Sequence, residues 1–259
     1  ATALGMWVML AGMLLFLLLD RRYRAYDLFR RWAWPDWRIM RPLLALGLPI
    51  GAGLFLEMAV FAAVALLLGT LGAVAAAAHQ VALNVAGMTF MIPLGLSMAT
   101  TVRVGHALGR GDSSAARFSG FTGIGLSGLF MAAMAVLIFT GHQTIARFYT
   151  DDPAVVAVAA GLLQLAALFQ ISDGLQVGAL GALRGLQDTR WPMLIVLVAY
   201  WLIAFPLAWL LGVHWGWGPH GPWMGLIAGL TMAAILLNLR FWRLNARLER
   251  RRPVRPDTV

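Results

Sequence analysis

The chain has 259 residues, of which 61% are hydrophobic and only 12% are charged, and it carries a net charge of +9. Because a soluble domain carries about 25% charged residues, this composition excludes an ordinary soluble protein and predicts an integral membrane protein. The sequence contains no cysteine, which excludes disulfides and thiolate metal sites.

Seven apolar stretches are long enough to cross a bilayer as α-helices, which takes about 20 residues each. They lie near residues 1–19, 44–68, 76–101, 117–141, 154–182, 192–212 and 221–241. Helices are the expected form, because backbone groups that face lipid must be hydrogen-bonded within their own segment. The predicted fold is therefore an all-α membrane protein with about seven transmembrane helices.

The polar segments between the apolar stretches divide the chain into four predicted parts. The first is the helix at 1–19, and the second is a linker at 20–42 in which arginines alternate with aromatic residues. That pattern is typical of an amphipathic helix lying on a membrane surface. A six-helix unit at 43–245 and a basic tail at 246–259 follow. No basic segment precedes the first stretch and no cleavage site follows it, so a signal peptide is not expected. The sequence starts with Ala and directly in an apolar stretch, so we expect a fragment or mature piece of a longer protein.

The basic residues predict the orientation of the chain. All of them are arginines, and every one except Arg147 falls in links or in the tail on one side of the predicted membrane. By the positive-inside rule that side is cytoplasmic, which places the N-terminus outside and the C-terminus inside. The net charge is thus an orientation signal that also favours anionic lipid, and it does not indicate a nucleic-acid partner.

Two of the 11 acidic residues, Glu57 and Asp173, lie inside predicted spans. An acidic residue in the middle of a membrane costs about 2.5–3.5 kcal/mol and usually marks a transport pathway or a proton relay. We expect no basic residue at the same depth, so H⁺, Na⁺ or a cationic substrate would have to satisfy them. The alternative is that both carboxylates simply hold helices together by hydrogen bonds.

Polar residues on other spans are weaker candidates. Gln80 and Asn84 are four residues apart and share a helix face, but either alone is better explained as an interhelical hydrogen bond. Asp151 and Asp152 precede Pro153, a pattern typical of the N-cap of a helix. The histidines His79, His142, His214 and His220 are expected near the outer interface.

An enzyme is disfavoured. Tyr26–Asp27 and Gly109–Asp112 match the two short motifs of intramembrane aspartyl proteases, but both lie in arginine-rich links that are two spans apart. A catalytic pair of carboxylates needs them a few Å apart in a dry site. A nucleotide-driven pump is not supported, because the sequence contains no phosphate-binding GxxxxGK[ST] loop.

Three stretches together resemble the multidrug and toxic compound extrusion (MATE) family, and in particular its neisserial and vibrio-type members. They are LGLPIGAGLFLEMAVF at 46–61, AAHQVALNVAGMTFMIPLGLSMATTVRVGHALGRGD at 77–112 and GALGALRGLQDTRWPM at 178–193. The resemblance implies a twelve-helix transporter of two six-helix lobes, in the bacterial inner membrane. It also implies that this chain is the second lobe preceded by the last helix of the first lobe, whose other helices are missing here.

The resemblance also implies a site. Glu57 and Asp173 match the acids that bind the coupling cation, Na⁺ or H⁺, and the drug. The resemblance implies substrate contacts at Gln80, Asp151 and Asp152. Asn84, on the same helix face as Gln80, is a further substrate-binding candidate. Where a tyrosine is expected beside the cation, this chain has Phe90 and Phe169, which retain a face for a cation but lack the hydroxyl.

The predicted function is export of cationic, often aromatic drugs by antiport against Na⁺ or H⁺, with no other cofactor. Two alternatives stay open. One is a polysaccharide or lipid flippase of the same superfamily, although such flippases usually line their cavity with basic residues. The other is a structural membrane subunit without transport activity.

Overall fold

The computed structural model describes residues 2–19 and 36–250. Regular structure within these residues is helical throughout. Its elements are α1 (Thr2–Leu19), α2 (Trp37–Thr70), α3 (Ala73–Gly109), α4 (Ser113–Tyr149), α5 (Pro153–Gly185), α6 (Arg190–His214) and α7 (His220–Arg250). The prediction of an all-α protein is confirmed.

Six of these helices, α2 to α7, are long and apolar enough to cross a membrane, and α1 is a shorter apolar helix. Each long helix extends beyond its predicted span, because the apolar stretch measures the hydrocarbon-facing part while the helix continues to a capping residue. Asp36 accepts from the backbone of Arg38 at 2.8 Å, and Asp112 accepts from the backbone of Ala115 at 3.0 Å. Caps of this kind pair backbone N–H groups that the first turn leaves without partners.

The chain divides into a unit of Ala1–Leu44 and a unit of Ala45–Val259. Most of the predicted amphipathic linker at 20–42, and the end of the basic tail at 246–259, lie outside the described residues. The division into four parts therefore stays a prediction.

Helix α5 is the centre of the second unit and packs against α3, α4 and α7. In the most apolar 18-residue stretch of α5, half of the residues are buried, compared with 11% in the most apolar stretch of α2. Glycines allow this close packing. A Cβ added to Gly174 would lie 2.8 Å from the backbone oxygen of Ser127 on α4, and one added to Gly185 would lie 2.8 Å from that of Thr101 on α3.

Side-chain hydrogen bonds join the same helices. The hydroxyl of Ser97 donates to the backbone oxygen of Val177 at 2.8 Å, and that of Thr101 donates to the backbone oxygen of Gly181 at 2.9 Å. The small residues of α5 therefore serve close packing on α3 and α4 in this structure.

Helix α6 alternates between α-helical and π-helical winding. It is α-helical at Arg190–Leu197 and Phe205–Trp209, and π-helical at Val198–Ala204 and Leu210–His214. A π-helical turn shifts the side chains that follow it around the helix axis, and such turns are frequent at functional sites.

One histidine lies elsewhere than expected. His79 was predicted at the outer interface, but its side chain is 2% exposed and packs edge-on against Trp223, with 5.8 Å between the ring centroids. The interfacial prediction is wrong for this residue, because α3 turns His79 toward α7. The position of a residue along a span does not indicate its direction around the helix.

Candidate functional site

Glu57 projects from α2 and accepts hydrogen bonds from two other helices. The hydroxyl of Tyr200 on α6 lies 3.1 Å from Glu57 Oε1, and the amide nitrogen of Gln176 on α5 lies 3.2 Å from the same oxygen. Tyr200 and Gln176 also bond each other, with 2.6 Å between the Tyr200 hydroxyl oxygen and Gln176 Nε2. One carboxylate thus joins three helices through neutral donors.

Sequence reasoning missed both of these partners. Gln176 follows Asp173 by three residues and shares its helix face, so its position gave a usable signal. Tyr200 is fully buried and lies in the first π-helical stretch of α6. The change of helix type cannot be recognised in the sequence, and no pattern places this hydroxyl beside Glu57.

The position of Tyr200 corrects the expectation that the site has no tyrosine hydroxyl. Phe90 and Phe169 suggested that the site lacks a tyrosine hydroxyl, but Tyr200 supplies one from a different helix. The hydroxyl reaches the acid from α6 rather than from α3 or α5.

Asp173 lies on α5, buried and 5% exposed. Within residues 36–250 its carboxyl makes no hydrogen bond, and it interacts electrostatically with Glu57. Both acids line one cavity of about 340 Å³ between α2, α3 and α5. The cavity falls in the range of small-molecule sites, roughly 300–1,000 Å³. The structure therefore brings together the two acids that the sequence singled out.

The rest of the cavity wall is largely aromatic and aliphatic. Phe90 from α3, Phe169 from α5 and Phe61 from α2 all line it. Phe169 meets Phe61 edge-on, with 6.1 Å between the ring centroids, and meets Trp223 at 5.9 Å. Rings positioned in this way beside negative charge suit a cation that carries aromatic groups.

Four predicted substrate residues lie apart from this cavity. Gln80 and Asn84 are exposed on α3. Gln80 lies on the same side of α3 as Leu83 and Phe90, which line the cavity, but it is nearer the start of the helix. Asp151 and Asp152 are exposed before α5, where Asp152 accepts from the backbone of Ala154 at 2.9 Å. The capping interpretation is confirmed for Asp152, while substrate contact at these four positions stays a prediction.

The expectation of no basic residue near the acids is wrong. Arg184, in the last turn of α5, lines the same cavity as Glu57 and Asp173. It also lines a second, smaller cavity of about 20 Å³ together with Glu57 and Thr189. The sequence placed Arg184 in a link, but α5 continues through it to Gly185.

These groups can bind a cation directly. Hard cations such as Na⁺ prefer oxygen ligands, and the Glu57 carboxylate, the Tyr200 hydroxyl and the Gln176 amide oxygen lie within a few hydrogen-bond lengths of one another. A carboxylate can instead take up the proton itself. Six long apolar helices, with an acid-lined cavity among them, define an all-α, multi-pass membrane protein.

The family follows from the sequence comparisons. The family model of MatE matches residues 49–210, and the chain belongs to the MatE family. It is 48% identical over 248 residues to the probable multidrug resistance protein NorM of Xanthomonas axonopodis pv. citri, covering 96% of this chain and 54% of that protein. It is 47% identical to the multidrug resistance protein PmpM of Pseudomonas aeruginosa, covering 94% of this chain and 52% of that protein.

Solved structures support the same fold. The eukaryotic MATE transporter AtDTX14 superimposes with a TM-score of 0.80 at 22% identity, covering 95% of this chain and 56% of that chain. An outward-facing multidrug resistance MATE family transporter of the MOP superfamily superimposes with a TM-score of 0.82 at 18% identity, covering 94% and 55%. The chain spans about half the length of the curated relatives it matches.

Proposed function

We propose that this chain forms the cation-binding half of a multidrug efflux transporter, which exports cationic, often aromatic drugs in exchange for Na⁺ or H⁺. The observation that carries the proposal is the cavity in which Glu57 and Asp173 lie together with Phe90 and Phe169. The proposal is supported by relatives that are named multidrug resistance proteins.

The cavity chemistry suits such a drug. Two carboxylates provide negative charge in apolar surroundings, where its attraction for a cation is screened less than in water. Three phenylalanine rings provide apolar contact and cation–π attraction. A neutral or anionic drug would leave the carboxylates without a counter-charge.

Exchange follows from competition for the same charge. The drug and the coupling ion both bind Glu57 and Asp173, and each favours a different conformation of the transporter. A ligand shifts a conformational equilibrium only by its difference in affinity between the states, and the coupling between two ligands is reciprocal. The ion entering from outside releases the drug, and ion release inside resets the site.

The coupling ion is either Na⁺ or H⁺. The Tyr200 hydroxyl and the Gln176 amide offer neutral oxygens beside Glu57, which favour Na⁺, whereas proton uptake by Glu57 or Asp173 needs no further ligand. Drug release from the purified chain by Na⁺ at constant pH, compared with release on acidification at constant Na⁺, separates the two.

The proposed setting is the bacterial inner membrane, with the N-terminus outside and the C-terminus in the cytoplasm. The proposed protein partner is the rest of the N-terminal six-helix lobe that the family resemblance implies. Cationic small molecules and the lipid bilayer are the other proposed partners.

The experiment that tests the function supplies that partner. The chain is expressed together with the part of PmpM that it does not match, in cells that lack their own drug efflux, and resistance to a cationic aromatic drug is measured. We expect the pair to raise resistance and the chain alone to give none. Glu57→Gln and Asp173→Asn should each abolish the gain, because each removes a charge on which binding of both ligands depends.

Protein levels in the membrane control for folding, and Asp36→Asn is a matched control. Asp36 is an exposed acid that caps α2, and asparagine retains the cap while losing the same charge. Full resistance in both Glu57→Gln and Asp173→Asn would overturn the proposal.

A flippase remains the second candidate, because Arg184 places a basic group in the cavity wall. A positive side chain there would suit the phosphate of a lipid-linked sugar. Binding of undecaprenyl phosphate by the purified chain, together with no binding of tetraphenylphosphonium, would favour the flippase over drug export.

A structural subunit is the third candidate, and the bonds from Tyr200 and Gln176 to Glu57 favour it. In that case the amide of Glu57→Gln would substitute for the carboxylate. Unchanged cation binding in that variant would support this candidate.

A further inference from the structure

Arg184 and Glu57 are the charged groups on a wall shared by two cavities. The large cavity and the small one have four lining residues in common, which are Leu54, Glu57, Leu180 and Arg184. Among the residues that line either cavity, Arg184 is the basic one. A cation that reaches Glu57 from the large cavity therefore arrives beside an existing positive charge.

The two groups interact without a direct bond. Glu57 takes its hydrogen bonds from Tyr200 and Gln176, while Arg184 acts on it electrostatically. The small cavity that both line measures about 20 Å³, which has room for about one water molecule. Within the described part of the chain, no carboxylate or backbone oxygen holds the Arg184 guanidinium in a hydrogen bond.

A carboxylate in this position needs a positive partner. Hydrogen bonds from a tyrosine and an amide stabilise the charge but do not neutralise it, and Asp173 adds a like charge. A buried charge that loses its partner is strongly destabilising. When neither drug nor coupling ion is present, Arg184 is the cation that can neutralise Glu57.

We propose that Arg184 is the resident counter-ion of Glu57, and that a cationic drug or coupling ion binds by displacing it. This inference rests on the proposed function and adds a third competitor for the same carboxylate. Arg184 is a positioning residue in this scheme. It returns to Glu57 when the ligand leaves, so Glu57 keeps a positive charge beside it in the empty site.

The first experiment measures tetraphenylphosphonium binding to the purified chain in lipid nanodiscs by isothermal titration calorimetry. We expect Arg184→Gln to bind this cation about tenfold more tightly, since removing a competitor adds its coupling energy to the affinity. Arg184→Lys retains the competing charge and should stay close to wild type. A merely structural arginine would weaken binding when removed.

Two controls separate displacement from a general charge effect. Arg190→Gln removes the same charge from an exposed residue at the start of α6 that lines neither cavity, and it should leave the affinity unchanged. Triphenylphosphine oxide, a neutral aromatic analogue, should bind all variants equally. Equal tightening in Arg184→Gln and Arg190→Gln would overturn the proposal.

A second measurement uses the wild-type chain and so does not depend on the folding of a variant. Phenylglyoxal labels arginine side chains, and mass spectrometry reports the labelling of each one. Saturating tetraphenylphosphonium should speed the labelling of Arg184, which has lost its partner, and leave Arg190 unchanged. Unchanged or slower labelling of Arg184 would overturn the displacement.

The outcomes distinguish this inference from the proposed function. No binding of tetraphenylphosphonium to the wild-type chain, or binding that survives Glu57→Gln, would count against the proposed function and hence against both. Binding that depends on Glu57, but that Arg184→Gln leaves unchanged or weakens, would overturn the role of Arg184 alone.

Discussion

At the scale of single residues, Glu57 is both a functional candidate and a link between helices. Its contacts with Tyr200 and Gln176 are hydrogen bonds across α2, α5 and α6, as the structural alternative predicts. Asp173 has no such bond among the described residues and faces the cavity. The two acids are therefore not equivalent, and Asp173 is the one open to a ligand without first losing protein contacts.

Replacing Tyr200 by phenylalanine tests the link. Tyr200→Phe retains the buried ring and removes the hydroxyl that lies 3.1 Å from Glu57. We expect the free energy of unfolding to fall by about 0.6–1.7 kcal/mol, the range for interhelical hydrogen bonds in membranes. Unfolding of the purified chain by titration with SDS measures the change.

Tyr149→Phe is the matched control, because the Tyr149 hydroxyl is exposed and contacts the sulfur of Met88 only at 4.0 Å. This variant should unfold at the wild-type SDS concentration. Equal losses of stability in Tyr200→Phe and Tyr149→Phe would show that the contact with Glu57 contributes nothing.

At the scale of helices, the glycines of α5 determine how near α3 and α4 can approach. A Cβ at Gly178 would lie 2.9 Å from the Cα of Ile124, and one at Gly181 would meet the backbone oxygen of Ser97. These are backbone neighbours that cannot rotate away. The close approach holds Asp173 and Gln176, which lie between these glycines and Phe169, in a fixed position beside α2.

Alanine substitutions at two glycines test this packing, because they should change the free energy of unfolding differently. Gly181→Ala should destabilise the chain by about 1–3 kcal/mol, the usual cost of overpacking. Gly125→Ala, on α4, meets nothing within 4 Å and should be neutral or stabilising by up to about 1 kcal/mol, because alanine favours the helix. The midpoint of thermal unfolding in nanodiscs measures both.

A stabilised or unchanged Gly181→Ala protein would contradict the tight packing of α5 on α3. Equal destabilisation of Gly181→Ala and Gly125→Ala would show that packing of α5 on α3 does not explain the loss of stability in Gly181→Ala.

At the scale of the whole molecule, the distribution of arginines predicts the orientation. Every arginine but Arg147 lies on one side of the predicted membrane, and the lengths of α2 to α7 allow the chain to alternate sides. This uneven distribution of arginines predicts orientation because moving a basic link across the membrane during insertion is electrostatically unfavourable.

Fusion proteins test the orientation. Green fluorescent protein at the C-terminus should fluoresce, because it folds in the cytoplasm, and alkaline phosphatase inserted between α6 and α7 should be active, because it folds outside. An active phosphatase at the C-terminus combined with an inactive one between α6 and α7 would reverse the predicted topology.

The sequence by itself determined the class, the helices and the two acids. Hydropathy is a local property, and the bilayer imposes one answer on a long apolar segment, so the spans and Glu57 and Asp173 could be located without coordinates. The resemblance to the MATE family needed no structure either, because its motifs are continuous stretches.

Only the tertiary structure decided what surrounds the acids. Tyr200 is 143 residues from Glu57 in the chain, and its direction depends on the π-helical stretch of α6. Arg184 was expected in a link, but the continuation of α5 turns it into the cavity. Which side chains meet across helices depends on their rotation and crossing, which neighbouring helices set through packing and which no local pattern in the chain encodes.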